Sequence, residues 1–276
     1  MTKTHVSFPF VLLRFWFWRI LWLWFLTGFF IFIMQLIICG IARDNEMVGL
    51  IINMLERMPG FVKKAVGGGM LEVGNIMSFI AIGYRHPLVL ILYMVFAVAV
   101  PTGLLTGNVQ NGTMELILSR SATKNHVYMC ACILTLAGML ALVIFMFAGT
   151  AAGVSIYNFG PKVPLWSFFR ASIVAGLSSA ASAGVALLAA VLFSNRGRAV
   201  GVAAGFFIIN YFVALVSGWW PRAAFLAPAT LFHYADLSAA LFGKTWPIYD
   251  MCVLFSVLII AVAAGGIIWN RRDLPL

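Results

Sequence analysis

Residues 171–221 read ASIVAGLSSAASAGVALLAAVLFSNRGRAVGVAAGFFIINYFVALVSGWWP, and the only charges among them are Arg196 and Arg198. On either side of that pair the chain runs 25 residues (171–195) and 23 residues (199–221) without Asp, Glu, Lys or Arg. A helix rises about 1.5 Å per residue, so roughly 20 apolar residues cross a hydrocarbon core about 30 Å thick. A charge at the bilayer centre costs about 2.5–3.5 kcal/mol even on the mildest scale, so the two arginines mark a point where the chain leaves the membrane between two spans.

Four more charge-free windows of at least 20 residues follow the same rule, at 20–42, 86–114, 125–161 and 251–270. Only 9% of the chain is charged, against about 25% in soluble domains, and 63% is hydrophobic. The fold class is therefore an all-α membrane protein, a single transmembrane domain over 1–276. Its spans are expected near 20–42, 87–107, 127–155, 169–193, 199–218 and 250–269. What lies between them is too short for a soluble catalytic domain of about 50 residues or more. Any hydrolytic engine must sit on another chain.

The net charge of +10 points to membrane sidedness rather than to nucleic acid, because the basic residues are spread over every loop. With an inner N-terminus, the inner segments hold nine basic and two acidic residues, and the outer segments nine and six. The inner nine are packed into much shorter stretches, as the positive-inside bias requires. Asn195-Arg196-Gly197-Arg198 and Asn270-Arg271-Arg272 are the cleanest inner anchors, which puts both termini in the cytoplasm. Residues 1–19, aromatic with Arg14 and Arg19, suit a helix lying on the inner surface before the first span. Residues 43–85 form an extracytoplasmic segment. Their short apolar runs, charges and Gly67-Gly68-Gly69 break suggest amphipathic surface helices.

Gly40-Ile41-Ala42 has the small residues of a signal-peptide cleavage site. The apolar run before it far exceeds a 7–15-residue h-region, however, and carries Trp16, Trp18, Trp22 and Trp24, so it reads as a permanent span. Cys39, Cys130, Cys132 and Cys252 have no disulfide-framework spacing. Cys130 and Cys132 lie two apart, on different faces of a helix, so no metal centre is expected. Small residues recur four apart at Gly149 and Gly153, Gly176, Ala180 and Gly184, Gly201 and Gly205, and Ala261 and Gly265. Such positions let helix backbones approach closely in lipid.

Between the second and third spans, residues 108–126, the chain turns at Asn111-Gly112 with a possible cap at Thr113. A short helix over Met114–Leu118 would then carry Glu115 on one side and apolar residues on the other. Gly112, Thr113, Glu115, Leu116, Leu118, Ser119 and Arg120 match the loop motif of ABC-2-type transporter permeases, which this segment resembles. Ser121 stands where that pattern has Pro. Ser194–Gly201 is similar to the family's basic turn into span 5, Pro228–Asp236 to its stretch before span 6, and Trp269–Leu274 to its terminal Arg-Arg-Asp-Leu.

The resemblance implies the ABC-2 (type V exporter-like) fold: six spans, an N-terminal interfacial helix and a short cytoplasmic coupling helix. It also implies a prokaryotic inner or plasma membrane location. The chain would dimerise with a second copy or a homologous permease and bind a pair of cytoplasmic ABC ATPase subunits. Those subunits would carry the ATP and Mg, with no cofactor on this chain. Gly112, Thr113, Met114, Glu115, Leu116, Ser119 and Arg120 would be the ATPase-coupling residues. The complex would export a hydrophobic or amphipathic substrate or transmit force, and this chain would be its non-catalytic subunit.

Spans 1 and 5 would line the route. Counting from Arg19 and Arg198, Gln35 falls toward the outer leaflet and Asn210 near mid-membrane. An amide in hydrocarbon must find a partner. Two outcomes are open for this pair: ordinary interhelical hydrogen bonds, or a sparse-polar passage with Phe29, Phe206, Phe207 and Tyr211.

Three rival readings are weaker. Gly243-Lys244-Thr245 imitates the end of a phosphate-binding loop, but Ser238 stands where the pattern needs Gly. Ser178 and Ser179 invite an intramembrane protease, yet no His lies inside a span to serve as base. A secondary transporter or channel without an ATPase partner is the main alternative. Such proteins bury ionisable groups at mid-membrane, and the charge-free windows hold none.

Overall fold

The computed structural model describes residues 9–60, 62, 76–119, 122–243 and 245–273. Pro9 precedes the first helix, where its missing N–H costs nothing, and α1 then runs unbroken over Phe10–Arg43, 34 residues. The expected division into an interfacial helix ending at residue 19 and a span starting at residue 20 is not there. Nothing in 10–27 is Gly or Pro, so no residue breaks the helix where the hydropathy changes. Residues 1–8 lie outside the described part.

Six helical stretches are long and apolar enough to cross a membrane: Phe10–Arg43, Ile76–Gln110, Lys124–Ile156, Gly160–Leu192, Arg196–Trp219 and Ile248–Arg271. Among the described residues every regular element is helical. After α1 come α2 (Asn45–Glu56), α3 (Ile76–Arg85) and α4 (Pro87–Pro101). A π-helical turn (Thr102–Thr106) leads into α5 (Gly107–Gln110) and α6 (Thr113–Leu118). The long helices α7 (Lys124–Ile156), α8 (Leu165–Leu192) and α9 (Arg196–Trp219) follow. A 3-10 stretch (Pro221–Ala229), α10 (Leu237–Phe242) and α11 (Ile248–Arg271) complete the chain.

The loops gather at two ends. At the near end lie 107–119, 122–123, 194–196 and 271–273, and at the far end 43–45, 157–164, 220–243 and 245–247. α8 is the hub, touched by α4, α7, α9, α10 and α11. α1 packs parallel to α7 through the predicted small residues. A Cβ on Gly149 would lie 2.8 Å from the Phe32 carbonyl oxygen, and one on Gly153 would lie 2.5 Å from Cys39 Cβ. Gly176 meets Val143 and Gly184 meets Leu258 in the same way. Gly201 and Gly205 break the pattern, because nothing lies within 4 Å of a Cβ at either. That face of α9 is not a packed surface within one chain.

Segment 43–85 divides. α2 stays on the surface, with Met47, Leu50 and Met54 exposed. α3 does not: Met77 through Tyr84 are all buried. It lies against α1, and the Gln35 amide donates to Ile80 O at 3.2 Å. Residues 61 and 63–75, including the Gly67-Gly68-Gly69 break, lie outside the described part. α3 ends because Pro87 cannot continue it, and His86 Nδ1 then caps α4 by accepting from Leu88 N at 3.3 Å.

Candidate functional site

At the near end, the Asn111-Gly112 turn forms as its residues require. Gly112 sits at φ 71°, a left-handed conformation that residues with a Cβ rarely adopt. Gly112, not Thr113, occupies the cap position of α6. The Thr113 hydroxyl instead donates back to Asn108 Oδ1 at 2.9 Å, and Asn108 Nδ2 donates to Leu104 O at 2.6 Å. These bonds tie α6 to the end of the second span. Met114 is buried and anchors the helix, Glu115 is exposed, and Leu116 stands 68% exposed. Ser119 Oγ donates to Leu116 O at 3.0 Å and closes the last turn. Arg120 and Ser121 lie outside the described residues.

The loop is wired to the rest of the near end. Arg196 N, at the start of α9, donates to Gln110 Oε1 at 2.6 Å. The Arg196 side chain lies over Gly103 of the π-turn and Gly107 at the start of α5, and a Cβ on Gly103 would sit 3.4 Å from its guanidinium. Lys124 Nζ donates to Arg272 O at 2.7 Å, and Arg272 reaches Phe193 O at 3.1 Å and Ser194 Oγ. Burial lowers the Arg272 pKa below its ordinary value. Glu115 and Leu116 are exposed on α6, and Arg196, Arg198 and Arg271 are exposed at the same end of the bundle.

The far end holds a polar cluster that sequence reasoning missed. The Tyr84 hydroxyl bonds Thr150 Oγ1 at 2.8 Å and Ser172 Oγ at 3.0 Å, joining α3, α7 and α8. Arg85 donates to Ala235 O at 2.8 Å. Arg170, only 6% exposed, donates to Gly243 O at 2.7 Å and Thr245 O at 3.3 Å. Sequence reading counts both arginines with the outer side, Arg85 at the end of the extracytoplasmic segment and Arg170 at the outer end of the expected span 169–193. The structure packs Arg170 into the bundle and Arg85 partly so, because the carbonyls of Ala235, Gly243 and Thr245 accept from them, although Arg170 Nε has no partner among the described residues. A cavity of about 30 Å³, the size for a water, lies between Tyr84, Arg85, Tyr93, Ser178, Ser182 and Phe232. Composition offered one signal, the run of serines at 172, 178, 179 and 182 in an otherwise apolar helix.

The expected path residues do not form one wall within the chain. Gln35 is fully buried between α1 and α3, and Asn210 Oδ1 accepts from Leu231 N at 2.8 Å. Each amide makes one internal hydrogen bond, and the buried Gln35 Oε1 has no partner among the described residues. Phe207 and Tyr211 set their rings edge-on against Phe232, 5.5 and 5.8 Å between centroids, and Phe206 packs nearby against Leu231 and Leu254. Phe29 is 44% exposed on α1 and stacks on Phe25 at 6.1 Å.

Comparison of the chain with protein-family models, with curated proteins and with solved structures returned no match.

Proposed function

We propose that the chain is the transmembrane permease subunit of an ATP-binding cassette transporter, coupling hydrolysis on a separate ATPase to export or to force transmission across the membrane. The observation that carries this reading is α6. It is a short helix held rigidly on the end of a span, with Leu116 projecting as an apolar knob and Glu115 beside it. A single exposed leucine is ordinary on a protein surface; what supports the reading is its place, on a short helix fixed by hydrogen bonds at the end of a span, where a groove on a soluble partner could receive it. The four motif resemblances, in order along six spans, support an ABC ATPase as that partner.

The route for force follows from the hydrogen bonds. Pressure on α6 passes through Asn108 into the π-turn, a feature often found at functional sites, and through Gln110 into the first turn of α9. α9 carries Asn210, whose bond to Leu231 reaches the far-end loop. A push at the near end therefore has a connected path to the far end. The buried arginines weigh toward the alternative, a carrier without an ATPase. Against it, Arg85 and Arg170 are bonded to backbone carbonyls, and among the described residues neither forms an ion pair with an acid.

The test is affinity purification of the whole chain from its own membranes. An ABC ATPase should accompany it, and Glu115→Ala or Leu116→Asp should release that ATPase while the chain remains monodisperse. Neither residue is buried, so the fold should lose little. Recovery of the chain with no ATPase, or with an unrelated protein, would overturn the proposal.

A further inference from the structure

The small cavity toward the far end carries hydrogen-bond donors that nothing in the chain uses. Arg85 closes α3, Tyr93 stands about 9 Å along α4 from Pro87, and Ser178 lies midway along α8. Tyr93 is 3% exposed and Ser178 5%. The neighbouring Tyr84 hydroxyl is spent on Thr150 and Ser172, and Ser179 and Ser182 give their protons to Ala175 O and Ser178 O. The Tyr93 and Ser178 hydroxyls are different. Both line the cavity and neither makes a hydrogen bond to the described residues, although a buried tyrosine hydroxyl usually finds a partner. A guanidinium has five N–H donors, and the one bond from Arg85 to the described residues runs from Nη2 to Ala235 O. No acid lines the cavity. Asp236, next to Ala235 in the chain, acts on Arg85 only through space, because its carboxylate accepts from Ser238 N and Ala239 N.

We propose that this cavity binds one small inorganic anion, a chloride ion in ordinary salt. Charge selects the sign. The guanidinium is a permanent cation set among Leu90, Phe207 and Phe232, and a second cation there would be repelled in surroundings that screen poorly. Water would satisfy the two hydroxyls and leave the positive charge uncompensated. An anion instead gains charge-assisted hydrogen bonds from Arg85 and accepts from Tyr93 and Ser178 as well. Size selects the ion. The cavity measures about 30 Å³, and one water needs about 10–15 Å³ on the same measure, so there is room for a halide and a water that accompanies it. Sulfate or phosphate, each with four oxygens, would require the walls to move. An ion held by these three residues ties α3 and α4 to α8 at the level of Phe232. The site needs no ATPase and stands apart from the transporter reading.

The test titrates sodium chloride against sodium gluconate at constant ionic strength, with the full chain in a non-ionic detergent, and follows thermal unfolding. An ion that binds only the folded chain should lower the unfolding constant saturably, by about elevenfold at ten times its dissociation constant. Bromide should act as chloride does. Tyr93→Phe and Ser178→Ala each remove one donor and should weaken halide binding several-fold, and Arg85→Gln should abolish it. The chloride response is compared within each variant, so a general change in stability cancels. Should Arg85→Gln fail to fold, the double variant Tyr93→Phe, Ser178→Ala should lose the response in its place. Crystals grown in bromide locate the ion, as an anomalous peak between Arg85, Tyr93 and Ser178. Equal stability in chloride and gluconate would mean that the cavity holds water only, and would overturn the proposal. A chloride effect that never saturates, one that the Tyr93 and Ser178 variants leave unchanged, or bromide peaks only at other places would overturn it too.

Discussion

Replacing Gly149 by Ala adds one methyl at the tightest backbone contact between α1 and α7. The new Cβ would stand 2.8 Å from Phe32 O and 3.2 Å from Phe32 Cα, backbone atoms that cannot rotate away. Ordinary contact begins at 3.4 Å, so the helices must part locally by roughly 0.6 Å. A gap of about that size forfeits a quarter to a half of each dispersion well of about 0.1–0.2 kcal/mol. Over about 20 atom pairs along that stretch the loss is about 1 kcal/mol, at the low end of the 1–3 kcal/mol seen for overpacked cores. The matched control is Gly201→Ala on α9, where nothing lies within 4 Å of the added atom. There the gain in helix propensity, about 0.5–1 kcal/mol, goes unopposed. Monomeric protein in mild detergent, unfolded by SDS titration, reads both. Gly149→Ala carries the same propensity gain against its loss of about 1 kcal/mol, so it should leave the midpoint level or slightly lower, while Gly201→Ala should raise it by about 0.5–1 kcal/mol. Equal shifts for the two, or a Gly149→Ala that stabilises as much as Gly201→Ala, would refute the account of the α1–α7 contact.

Tyr84→Phe removes the hydroxyl shared by Thr150 and Ser172. Each partner keeps its own bond to a helix carbonyl, so the same titration should show a loss of about 1 kcal/mol rather than collapse. Arg170→Ala leaves Gly243 O and Thr245 O without their donor, and limited proteolysis should then cut near residues 243–245 where the wild type resists. In a background lacking Cys252, an impermeant thiol reagent on intact cells should label Arg222→Cys at the far end and spare Leu116→Cys at the near end. The reverse labelling would invert the orientation.

The sequence by itself determined the number and placement of the spans, since span length and the cost of a buried charge depend on local composition alone. It likewise determined the turn before α6, because Asn111-Gly112 suits a left-handed residue wherever it stands. It also marked which glycines could allow close approach, but not which of them do. Gly149 meets α1 and Gly201 meets nothing within the chain, a distinction made only by which helices become neighbours. Charge assigned Arg85 and Arg170 to the outer side because an isolated guanidinium is costly in lipid. The tertiary structure draws them in, Arg85 partly and Arg170 fully buried, with carbonyls from Ala235 and Gly243, 150 and 73 residues away along the chain. Gln35 and Asn210 belong with them: a span shows that an amide needs a partner, and only the packed chain supplies Ile80 to one and Leu231 to the other.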